Sequence, residues 1–151
     1  LVTLPKRMEA IYRQEDERAR QGASAAGLAN AQDNRFDAER HARASARMTD
    51  AVGPRLAALA GYAVEGAGLA RNLRDNLMQI GAPEAYRGTP SVAEAVSAMK
   101  MDLHNNAEGR RAAMEGRPID PARLRMVPER TSEYAFLYDA RPPRRHTTAG
   151  R

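Results

Sequence analysis

Four runs of helical periodicity, each closed by glycine or proline, constrain this chain to a mainly α fold. After Pro5, suited to a first helical turn, KRMEAIYRQEDERARQ puts Met8, Ile11, Tyr12 and Ala19 on one stripe, and Gly22 follows as a stop. GASAAGLANAQ is weakly patterned and reads either as a short helix or as a loop. From a cap at Asp33, DNRFDAERHARASARM forms a second helix that Gly53 and Pro54 end. A third runs from Pro54 to Gly81, with Leu56, Leu59, Leu69, Leu73, Leu77 and Ile80 as its buried positions. Its interior glycines Gly61, Gly66 and Gly68 imply close helix packing or room for a ligand.

Residues 82–90 connect to a fourth helix capped at Thr89 or at Ser91, whose spacing to Glu94 matches a capping box. Val92, Val96, Met99 and Leu103 should face the core as this helix runs to Met114, before Gly116 and Pro118 end it. Two proline-bearing turns then lead to EYAFLYD (133–139), where Tyr134, Phe136 and Tyr138 alternate with Ala135 and Leu137. This pattern predicts a short extended segment that clamps the helices or offers an edge to a protein partner. The expectation is a compact helical domain of four to five helices over residues 1–140, with a short C-terminal extended segment and a basic tail over 141–151.

A chain of 151 residues is long enough for one ordinary core. It has no cysteine, which excludes disulfides, thiolate metal ligands and a thiol nucleophile. No apolar run approaches the roughly 20 residues of a membrane-spanning helix, and nothing at the N-terminus has the layout of a signal peptide. Because the chain begins at Leu1, a preceding segment or a larger chain is compatible with the sequence. The net charge of +5 is concentrated in Arg141, Arg144, Arg145 and Arg151, beyond the last acidic residue Asp139, so the body is close to neutral. RPPRRHTTAGR has the composition of a disordered tail that can contact a partner. Low aromatic content and the near-neutral body argue against a nucleic-acid reader.

The polar positions inside the helices carry the chemistry. In MKMDLHNNAEGR, at about 100° per residue, Asp102, Asn105, Asn106 and Gly109 share one helical face, while His104 points nearly the opposite way. In FDAERHARAS, Asp37 stands three residues before Arg40 and four before His41, so a carboxylate can meet an imidazole along the helix and fix its tautomer.

Taken together, DAERHARAS, the acidic Glu65 in GYAVEG, and MDLHNNAEGR resemble a family of small helical bacterial and phage domains of unknown function. That family carries an A-x-R-H-A segment, an H-E pair and an M-D-L-x-N-N-x-x-G-R segment, in some chains at the end of secreted or toxin-like proteins. The resemblance covers about residues 33–112. Ala38, Arg40, His41 and Ala42 fit the first segment, and Met101, Asp102, Leu103, Asn105, Asn106, Gly109 and Arg110 fit the last. The middle departs, because Val64 stands where the pattern has histidine. The resemblance implies a bacterial protein, secreted or periplasmic, of effector or accessory type.

These residues suit a hydrolase with a water nucleophile acting on an ester, amide or phosphodiester. In that reading His41, Asp102 and Asn106 are catalytic, with His41 as the base. Arg40, Asn105 and Arg110 bind substrate, and Asp37 and Glu65 orient the imidazole. A divalent metal held by Asp102 and Glu65 would match oxygen ligands. The same faces equally suit a buried hydrogen-bond network in a non-enzymatic interaction module. Either reading requires the helix near 33–50 to pack beside the one near 91–114 and to bring His41 within reach of Asn106. An open cleft at His41 separates a site from a closed network.

Overall fold

A computed structural model describes residues 3–31 and 34–126. It contains α1 (Leu4–Ala25), α2 (Arg35–Val52), α3 (Pro54–Gly81) and α4 (Val92–Met114), then a single 3-10 turn at Pro121–Arg123. Among the described residues there is no strand. The 133–139 segment, the 141–151 tail and the expected cap Asp33 lie outside the described residues. Helix α2 is the hub: it packs on α1, α3 and α4, most extensively on α4, and α3 also packs on α4.

Local chemistry explains the boundaries. Asn34 caps α2, its side chain accepting from the Phe36 and Asp37 amides at 3.0 and 3.3 Å. Gly53, at φ +86°, turns the chain between α2 and α3, with Pro54 opening the next helix. Ser91 and Glu94 form the expected capping box at α4, and Gly116 turns the chain at φ +62° after it. Helix α1 runs through Gly22 instead of stopping there, taking in the start of GASAAGLANAQ; residues 26–31 of that stretch are non-helical turn and bend. A Cβ at Gly22 would come within 2.6 Å of the Phe36 ring, so this glycine makes room for an aromatic side chain rather than for a turn.

Two expected core faces are reversed. On α3, Leu56, Leu59, Leu73, Leu77 and Ile80 are exposed and Leu69 is only half-buried; the residues buried from this helix are Ala57 and Gly61. On α4, Val92 is exposed and Val96, Met99 and Leu103 are half-buried, while Ala93, Ser97, Met101, Asn105, Asn106, Glu108, Gly109 and Ala112 are buried. The reason is distance. A Cβ on Gly109 would overlap the Ala42 carbonyl group, lying 2.7 Å from its carbon, so α2 and α4 meet backbone against backbone. Helices that close admit only small side chains between them, and larger aliphatic groups are pushed to the flanks. The core is accordingly rich in alanine, with Ile11, Met48, Met101 and Leu124 as its larger members.

Small side chains bury little apolar area, roughly 25 cal/mol per Å², and the interior also carries ion pairs. Glu15 is buried and accepts from Arg47 at 2.6 Å and from Arg18 at 3.1 Å. Glu108 is buried between Arg111 at 2.7 Å and Arg117 at 2.6 Å. Burial works against its ionised form, but the surrounding guanidinium groups hold its pKa below the ordinary carboxylate value.

The glycines of α3 and α4 differ in what they do. Gly109→Ala is expected to destabilise the fold by about 3 kcal/mol or more, because its methyl group meets backbone that cannot rotate away. Gly68→Ala, with nothing within 4 Å of its Cβ position, is expected to stabilise by about 0.5–1 kcal/mol. Denaturant unfolding of both variants tests the pair; equal effects would contradict the packing described.

Candidate functional site

The first turns of α2 carry Asp37, Arg40 and His41 on one face, as the three- and four-residue spacings require. Asp37 and His41 are buried. Arg40 is half-exposed and bridges two helices, with Nη2 2.7 Å from Asp37 Oδ1 and Nη1 3.0 Å from Asp16 Oδ1 on α1. The close α2–α4 approach places Asp102 beside the imidazole, and α3 supplies Glu65 from the other side. His41 Nδ1 lies 3.3 Å from Glu65 Oε1; Nε2 lies 3.3 Å from Asp102 Oδ1 and 3.5 Å from Asp37 Oδ1. Three carboxylates from three helices therefore surround one ring.

Asn106 donates from Nδ2 to Glu65 Oε1 at 3.3 Å, so it and His41 share one carboxylate oxygen. The two motifs do meet. Arg110 lies beside them, with Nη1 donating to Ser45 Oγ at 3.4 Å and passing close to Gly61. Asn105 does not join the cluster. It is fully buried and spends its amide on residue 125, donating to the Arg125 carbonyl and accepting from the Arg125 amide, both at 2.9 Å. That pairing pins the chain after α4. His104 is half-buried, with Nε2 2.9 Å from the Arg123 carbonyl oxygen, and stands apart from the site.

A cavity of about 320 Å³ opens onto His41, lined by Tyr12, Arg13, Asp16, Arg40, Ala44 and Val64. Tyr12, Arg13 and Asp16 come from α1 and were not singled out by sequence reasoning. Tyr12 on the apolar stripe was the one available signal, and the charges beside it are indistinguishable from solvated ones until α1 is docked. Burial, reinforced by Glu65, raises the Tyr12 pKa, with Arg110 and Arg40 opposing. Val64, at the position where the family pattern has histidine, forms part of the cavity wall.

Burial and neighbouring charge shift both His41 and Asp102. Burial disfavours a charged imidazole, but hydrogen bonding to Asp37 and Glu65 and the charge of Asp102 outweigh it and raise the His41 pKa to about 9. With a pKa of about 9 the ring carries its second proton at neutral pH, Nδ1 facing Glu65 and Nε2 facing Asp102 and Asp37. Asp102 behaves in the opposite sense. Burial, aided by Glu65 and Asp37 and opposed by His41 and Arg40, raises its pKa to about 7. Its Oδ1 is buried without a hydrogen bond and faces the charged ring.

The donor set also bears on a metal. Asp102 and Glu65 sit on opposite nitrogens of the ring, so they do not converge as the expected ligand pair. Asp37, His41 and Asp102 do converge, with one ligand atom from each within 4.8 Å of the others. Arg40 Nη2 lies 2.9 Å from His41 Nε2 and already brings positive charge to that corner. A cation there would have to displace both the guanidinium group and the Nε2 proton.

The folded protein retains a proton on Asp102 up to about 7 and one on His41 up to about 9, whereas the unfolded chain releases them near 3.8 and 6.5. Between those values the folded state binds more protons, so the stability from both groups is full at the acid end and is lost as pH rises through about 7 and then about 9. Denaturation midpoints are expected to fall between about pH 5 and pH 9. Asp102→Asn should flatten the lower half of that fall and move the His41 titration, followed by NMR, down toward 6.5. A wild-type imidazole titrating at 6.5 would contradict the coupling.

Comparison with known protein families, characterised proteins and solved structures finds no match to this chain.

Proposed function

We propose that this chain is a hydrolase domain with a water nucleophile, of the bacterial effector or toxin-like kind that the motif resemblance implies. The observation that carries the reading is a buried imidazolium ringed by carboxylates at a cavity of about 320 Å³, a size that suits a small ligand or one group of a larger substrate. Clusters of shifted acids and bases at a cavity are a signature of catalytic chemistry. Ionised Asp102 takes the proton of the attacking water. Imidazolium His41 protonates the leaving oxygen, and the 3.3 Å Asp102–His41 contact returns the proton and resets the pair. Arg40 on the cavity wall neutralises the developing oxyanion, while Asn106 and Glu65 hold the ring. Val64 in place of histidine makes that wall apolar, which fits a substrate with an apolar group beside the scissile bond.

A non-enzymatic module has one observation in its favour: both His41 nitrogens and the Asn106 amide are engaged within the protein. On that reading the cluster joins the helices, and residues 133–139 with the basic tail are the contact surfaces for a partner.

Chromogenic carboxylic esters and phosphodiesters, assayed with and without added divalent metal, separate the two. The hydrolase reading expects a bell-shaped rate profile between about 7 and 9, with losses of about 10²–10⁴-fold in Asp102→Asn and His41→Gln. Absence of turnover, together with an Asp102→Asn protein less stable than wild type, would instead establish a structural network.

A further inference from the structure

We propose that α3 is the dimer interface of this protein, with two copies joined through antiparallel α3 helices about a two-fold axis level with residue 68. The outward face of this helix carries a seven-residue repeat. Leu56, Ala63, Ala70 and Leu77 form one row and Leu59, Gly66, Leu73 and Ile80 the other, and every one of these positions is exposed. Such a double row is the seam of a helix pair, and within the described fold nothing occupies it. Exposure of its large members runs from 41% at Leu73 to 83% at Ile80, unusual for aliphatic side chains on a helix whose opposite face is already packed.

The choice of a second copy as occupant comes from the order of the residues. Read backwards, the seam again has large residues at its ends and small ones at its centre, with Ala63 opposite Leu73 as the one pair of unequal size. When one helix is laid antiparallel on another about residue 68, Leu56 meets the copy's Ile80, Leu59 meets Leu77, Ala63 meets Leu73, and Gly66 meets Ala70. Each pair joins one row to the other, with large aliphatic groups at the ends and small residues in the middle. This is self-complementarity of the kind a two-fold interface requires, since the same patch serves both subunits. None of the eight positions carries a charge, so no like charges oppose each other across the axis.

The central glycine adds a second argument. Gly66 lies inside a helix, where it costs up to about 1 kcal/mol relative to alanine, and a Cβ there would touch nothing among the described residues. A close helix crossing at Gly66 and Ala70 accounts for a residue that the fold of one copy leaves without a purpose. The area suffices as well: the exposed fractions of the five large side chains amount to roughly 550 Å² a copy, or about 1,100 Å² for two, which reaches the approximately 1,000 Å² of a specific interface.

Light scattering and sedimentation of the full chain over a concentration series read the oligomeric state. The wild type is expected at twice the monomer mass. Leu73→Glu, at an exposed position, should keep its helical circular dichroism and weaken self-association by about 100-fold. Because the chain has no cysteine, engineered pairs report geometry without background: a Leu59→Cys/Leu77→Cys double variant should oxidise to a covalent dimer, while either single variant does not. A wild type that is monomeric throughout would overturn the proposal. So would efficient cross-linking of Leu59→Cys alone, which indicates parallel helices, or a monomer that sediments with phosphatidylethanolamine–phosphatidylglycerol vesicles through this face.

Discussion

The backbone contact between Gly109 of α4 and Ala42 of α2 is the constraint on which the remainder of the molecule depends. It brings two helices to a separation at which aliphatic side chains do not fit between them, so the shared interior is built from alanine, serine, asparagine and the short carboxylates. His41 immediately precedes the contact residue on α2, and Asn106 lies one turn before Gly109 on α4. The polar cluster is thus a direct consequence of the close approach: with the backbones touching, the polar side chains next to the contact pair with one another, with Glu65 of α3 and, through Arg40, with Asp16 of α1. Lengthening that distance by one methyl group would open the cluster to water and leave Asp102 and His41 paired across a gap.

A core of this composition gains less from hydrophobic burial than an aliphatic one, and the buried ion pairs do not make up the difference by Coulomb attraction alone. Taking a carboxylate such as Glu15 or Glu108 out of water costs several kcal/mol, which its arginine partners roughly offset. Their contribution is to geometry. Glu15 ties α1 to Arg47 on α2, and Glu108 ties α4 to Arg117 in the chain that follows it. Asp102 is different, because its opposing charges are shared with Asp37 and Glu65. Three carboxylates face one imidazolium and one guanidinium, so one negative charge is left under-compensated, and burial raises the Asp102 pKa.

The elements of the fold were legible in the sequence because their signals are local. Proline at helix starts, the Ser91–Glu94 box, Gly53 and Gly116 each act within one turn of the chain, and the helix boundaries follow them. The assignment of faces was not, since it depends on how near the next helix comes. Leucines at helical spacing on α3 are the same signal whether they meet their own core or a surface outside it. Gly22 shows the same limit: a glycine near the end of a helical pattern reads as a stop, and only the presence of Phe36 from α2 reveals it as a packing site. At the cluster, the three- and four-residue spacings correctly grouped Asp37 with Arg40 and His41, and Asp102 with Asn106. They could not separate Asn105, whose partner lies twenty residues further along the chain, nor supply α1, whose Asp16 reaches Arg40 only through tertiary packing.

The position of α3 links the cluster to the outer surface. From inside, this helix is secured by Ala57 and Gly61 alone among its buried residues, by the Asn72 and Asn76 amides donating to the Pro90 carbonyl at 2.9 Å, and by Glu65 itself. Glu65 both orients His41 and depends on it, as it is half-buried and its contacts to His41 and Asn106 are each 3.3 Å. The apolar part of that hold lies near the N-terminus of the helix, where Ala60 joins Ala57 against Ile11 and Met48. The exposed seam centred near residue 68 lies within one turn of Glu65, so the residue that orients the imidazole and the outward apolar face share one element.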